Sequence, residues 1–78
     1  MNRERNEELV AARKRVGKTQ RQVAADIGNT ESAYQRYEQG LRTPGVVIAI
    51  RIAQALGVKD FDEFQKLWGN PNVKPIIA

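Results

Sequence analysis

With 78 residues and a net charge of +4, the chain has room for one domain around one modest core, and its charge suits a polyanion partner. It contains no cysteine and no histidine, which excludes disulfides, zinc sites built on those residues and, apart from a formally open Ser–Lys pair, nucleophile–base catalysis. No apolar run is long enough to cross a bilayer and the charged start has no signal-type apolar block, so a cytoplasmic protein with no catalytic site, metal, cofactor or membrane partner is expected.

The first helix is expected from about Arg3 to Val16. Leu9, Ala12 and Val16 recur at i, i+3, i+7 as a narrow apolar stripe, and Gly17 ends it. Arg13, Lys14, Arg15, Lys18 and Arg21 fall within nine residues free of acid, which suits nucleic acid or merely a solvated face. The second helix starts at Thr19, where Thr19 and Gln22 spell a capping box. Val23, Ala24 and Ile27 face inward, and Gly28 closes it. Asn29 and Thr30 form the turn; Thr30 caps the third helix, and Glu31 in its first turn suits the helix dipole. Gly40 ends that helix.

Thr43 and Pro44 restart the chain, with Pro44 expected at the first helical position. The fourth helix runs to about Leu56 before Gly57. The fifth begins at Asp60, with Glu63 three residues on, and ends near Trp68; Phe61, Phe64, Leu67 and Trp68 are expected to close the core. Residues 1–69 read as one domain, and 70–78, with two prolines, as an irregular tail. The expected fold is all-α: five helices, with a helix-turn-helix made by the second and third. Two motifs mislead. Gly17-Lys18-Thr19 mimics the end of a P-loop but lacks the earlier glycine, and Asp60, Asp62, Glu63 lack calcium-loop spacing.

The third helix carries the functional signal. At about 100° per residue, Glu31, Ser32, Gln35, Arg36 and Gln39 share an arc of roughly 140°. Ala33, Tyr34 and Tyr37 share the opposite side and read as core. The polar arc holds the groups that bond base edges: Arg for guanine, Gln for adenine, Glu for the cytosine amino group. An ordinary amphipathic helix with a wet face would show the same arc, so the arc alone does not decide.

Order and spacing add to it. Leu9…Arg13, Thr19-Gln20, Val23-Ala24, Ile27-Gly28, YxRYExG over Tyr34–Gly40, Pro44 and RIAQALGV over Arg51–Val58 resemble the lambda-repressor-like, Cro/Xre-type helix-turn-helix family over about two thirds of the chain. The resemblance implies that Glu31, Ser32, Gln35 and Arg36 face bases. Gln20 would grip a phosphate, and Gln39, Arg42 and Thr43 would touch the DNA backbone, with Lys18 and Arg21 of the basic block assisting. Arg13 and Glu38 match a pair that forms an internal salt bridge in relatives. Three positions depart from the pattern. Lys18 stands where the family is apolar, its stem expected over the core and its head near a phosphate. Glu31 puts an acid at the first reading position. Val47 lies on the polar stripe of the fourth helix, as an exposed valine or part of a dimer patch.

The resemblance implies a sequence-specific regulator, a bacterial or phage-encoded repressor, binding double-stranded DNA as a homodimer on a near-palindromic operator. Two alternatives stand beside it. One is an antitoxin of the same fold that binds a toxin through the fifth helix and tail while repressing its own operon. The other is a protein-interaction module without DNA binding. A toxin or antirepressor is thus a further partner to test for.

Overall fold

The computed structural model describes residues 5–68. They form α1 (Glu7–Arg15), α2 (Gln20–Asp26), α3 (Glu31–Glu38), α4 (Val46–Ala55) and α5 (Phe61–Trp68), with no strand among the described residues. The architecture is the all-α, five-helix one read from the sequence. The tail expected over 70–78 lies outside the described residues.

Local signals set the boundaries. At the start of α2, Thr19 Oγ1 accepts from the Gln22 N–H at 3.1 Å, and Gln22 Oε1 accepts from the Thr19 N–H at 2.8 Å. That reciprocal pair satisfies two otherwise orphaned donors. Thr30 Oγ1 does half of the same for α3, accepting from the Ala33 N–H at 3.1 Å. Between them Gly28 has a φ of +71°, a conformation that strains any residue with a Cβ. It lets the Asn29 N–H reach back to the Ala24 carbonyl at 2.9 Å and the Gly28 N–H to Ala25 at 3.1 Å, the paired bonds that close a helix sharply. The chain then turns at once from α2 into α3.

Three expectations need correction. α1 begins at Glu7, not near Arg3: residues 3 and 4 lie outside the described set, and Arg5 and Asn6 are not helical. Asn6 stops the helix there because its Oδ1 caps the Leu9 N–H at 3.0 Å, its Nδ2 donates to the Leu67 carbonyl at 2.7 Å, and its backbone N–H donates to the Glu38 carbonyl at 2.8 Å. Pro44 lies before α4, not in it. Gly45 is the N-cap, and its carbonyl takes the first helical bond, from the Ala49 N–H at 2.9 Å. Pro44 is itself buried, so its ring serves packing. Phe61, expected in the core, is 53% exposed, whereas Leu67 and Trp68 are buried.

The core comprises Leu9 and Ala12 from α1, Val23, Ala24 and Ile27 at α2, Tyr34 from α3, Ala49, Ile52 and Leu56 at α4, and Leu67 and Trp68 from α5. Each large apolar side chain buried this way contributes about 1.5–3 kcal/mol. α2 packs on α3 and α4, and α1 on α3 and α5. A helix as short as α3 would not persist alone in water; burial of Tyr34 and Glu38 holds it in place. No helix among the described residues is long and apolar enough to cross a membrane.

Candidate nucleic-acid interface

On α3, burial divides the side chains as the 3.6-residue repeat requires. Tyr34 and Glu38 are buried and Tyr37 is half-buried against the core, while Glu31, Ser32, Arg36 and Gln39 are exposed. Gln35 is half-buried and engaged: its Nε2 donates to Gln20 Oε1 at 3.2 Å. The arc from Glu31 to Gln39 is thus one solvent-facing surface whose middle member is tied to the start of α2.

Behind it lies a polar network. Arg13 Nε donates to Glu38 Oε2 at 2.5 Å and Arg13 Nη2 to Oε1 at 3.2 Å, a two-pronged pair with side chains 12% and 3% exposed. Arg13 Nη1 also donates to the Lys18 carbonyl at 3.0 Å, pinning the α1–α2 turn. Gln20 Nε2 donates to Glu38 Oε1 at 2.9 Å. Burial alone would raise the Glu38 pKa, but hydrogen bonds from Arg13 and Gln20, with the Tyr34 hydroxyl nearby, hold it below the usual carboxylate value. The Tyr34 hydroxyl meets no partner in hydrogen-bonding geometry among the described residues. Burial first, and the adjacent Glu38 carboxylate second, push its pKa well above the usual phenol range.

The basic block disperses in three dimensions. Arg13 is spent on Glu38. Lys18 is half-buried, its Nζ donating to Asp26 Oδ2 at 2.7 Å and to the Ala55 carbonyl at 2.9 Å. It therefore ties α2 to the end of α4, with one N–H left over. Arg15 lines a small cleft between α1 and α5 with Glu8, Glu63 and Lys66. Arg21, Arg42 and Thr43 are exposed, and Gln20 is half-buried within the network.

Two contributors escape the sequence reading. Asn6 joins α1 to the ends of α3 and α5; its signal is an Asn directly before Glu7-Glu8. Asp26 holds Lys18, and nothing in its spacing from Lys18 announces the pair.

The geometry is that of two short helices, sharply joined, the second carrying an outward polar face. A helix-turn-helix family model matches residues 9–64. The chain belongs to the helix-turn-helix family. Its helix-turn-helix is of the Cro/Xre type. It is 37% identical over 62 residues to the cryptic phage CTXphi transcriptional repressor RstR of Vibrio cholerae serotype O1, a match covering 80% of this chain and 54% of the relative. The chain thus spans about half the length of that relative. No solved structure matches it. A DNA-binding transcriptional regulator is the coarse function that family and relative support.

Proposed function

We propose that this chain is a sequence-specific, non-catalytic repressor that inserts α3 into the major groove and binds a near-palindromic operator as a homodimer. The observation that carries the reading is the outward arc of Glu31, Ser32, Gln35 and Arg36 on a helix fixed from behind by buried Tyr34 and Glu38. Arg36 suits guanine, Glu31 the cytosine amino group, and Gln35 and Ser32 neighbouring base edges. Gln20, Arg21, Gln39, Arg42 and Thr43, with the spare N–H of Lys18, supply phosphate contacts that set register without reading sequence. Arg13 and Glu38 hold α1 against α3.

Pairing about a two-fold axis is supported by an open apolar groove between α4 and α5. Val46, Ile50 and Phe61, all about half exposed, line it with Val58 and Phe64. Lys59 and Asp60, neighbours of opposite charge, also line it, which allows a two-fold pairing to set Lys59 of each copy beside Asp60 of the other. Val47, next to Val46 in sequence, is more exposed still at 62%.

Selection of bound duplexes from a random DNA pool tests the proposal. The expected product is an inverted repeat with half-sites about one helical turn apart, bound by two chains. Recovery of unrelated sequences would leave only the interaction-module reading. Stoichiometric co-purification of a second protein, lost on removing residues 70–78, would favour the antitoxin.

A further inference from the structure

We infer that Glu38 and Gln20 are positioning residues for base recognition. Through them a buried carboxylate fixes which way round the Gln35 amide faces, so that Gln35 favours bases with an amino group in the major groove, adenine or cytosine, over the keto bases. The inference rests on α3 being the DNA-reading helix.

The direction passes along three side chains, Glu38 and Gln35 of α3 and Gln20 at the start of α2. An ionised Glu38 carboxylate only accepts hydrogen bonds, and the two-pronged Arg13 contact both holds it in place and keeps it ionised. Gln20 must therefore turn its Nε2 toward Glu38, as it does at 2.9 Å; the reversed amide would set oxygen against oxygen. With Nε2 so placed, Gln20 offers Oε1 to α3. Gln35 meets it with Nε2 at 3.2 Å. Reversing Gln35 would again oppose two carbonyl oxygens, so the arrangement is held as much by that repulsion as by the rather long bond.

A glutamine on a helix surface can exchange its amide ends freely and so offer either a donor or an acceptor to a base. Gln35 lacks that freedom. One N–H is used on Gln20, leaving its carbonyl oxygen and second N–H for DNA. The oxygen accepts from adenine N6 or cytosine N4, and the remaining N–H can add adenine N7. At thymine O4 or guanine O6 only the remaining N–H can bond, one bond against adenine's two, and the oxygen opposes another acceptor. The consequence is polarity: A·T is distinguished from T·A at that base pair.

The test is a binding titration of the selected duplex and its single-pair variants with four full-length proteins: wild type, Gln35→Ala, Gln20→Met and Glu38→Gln. Gln35→Ala locates the pair, since preference there alone should flatten. Wild type is expected to favour an amino base at that position by about fivefold or more. Gln20→Met should bring this to about twofold or less, while any lost phosphate contact lowers all sequences alike. Glu38→Gln, whose amide can donate or accept, should release the same constraint, with a melting curve establishing that it is folded. The Arg36 pair should stay fully discriminated in all three variants. Wild-type discrimination retained by Gln20→Met, a keto preference, or no position flattened by Gln35→Ala would each overturn the inference. Loss of all sequence preference by the wild type would instead refute the DNA-reading role of α3, which Arg36→Ala reports independently.

Discussion

Glu38 is 2% exposed and carries a charge, which is tolerable only because Arg13 and Gln20 satisfy it. Unfolded, it titrates near 4.5; folded, it does so lower. The folded state thus binds fewer protons between the two values. Its stabilising contribution is whole above the unfolded value and is lost as pH falls through the folded one. Urea unfolding at neutral and at acid pH should show wild type weakening in that window, and Glu38→Gln showing a shallower decline. Removing Arg13 instead strands a buried carboxylate, and Arg13→Ala should cost about 3–5 kcal/mol. The neighbouring Tyr34 hydroxyl also helps hold that carboxylate ionised, so Tyr34→Phe should move the acid weakening to higher pH in the same assay.

At the scale of elements, signals confined to a few neighbouring residues were legible in the sequence, and those needing a distant partner were not. Thr19 and Gln22 announce α2 from four residues of sequence, and the box is present as written. Gly28 announces the turn for the same local reason. Asn6 stops α1 by reaching Leu67 and Glu38, contacts that no window of local sequence contains. Pro44 is ambiguous in sequence because a proline fits both at the first helical position and before an N-cap; Gly45 and the burial of the ring decide for the latter. The polar arc of α3 was legible from period alone, but the engagement of Gln35 was not, since it depends on how α2 lies beside α3. Thr19→Ala should destabilise by about 1 kcal/mol, read as a lower denaturation midpoint with the slope unchanged. An unaltered midpoint would mean that α2 is held by packing alone.

For the whole molecule, charge and apolar surface divide the work differently from the linear sequence. Two of the five cations in the basic block are paired internally and a third lines the α1–α5 cleft. In the proposed complex, phosphate attraction therefore draws on Arg21 and Arg42 more than on the block as such, and the salt dependence per chain should be correspondingly modest. Helical period marks Phe61 as apolar without showing which surface α4 leaves uncovered. Phe61 lies with Val46 and Ile50 along the open groove. Ile50→Glu should shift the protein toward monomer in sedimentation and weaken operator binding at low concentration, while the fold survives because Ile50 is already 45% exposed. An unchanged sedimentation profile would place the subunit contact elsewhere.

The most direct measurement is a titration of wild type and Arg36→Ala against the selected operator and its single-pair variants, at one fixed salt concentration. Loss of Arg36 should cost about 1–3 kcal/mol on the cognate site and flatten preference at one base pair per half-site. An Arg36→Ala protein that kept full affinity and full sequence preference would show that α3 is not the helix that reads DNA.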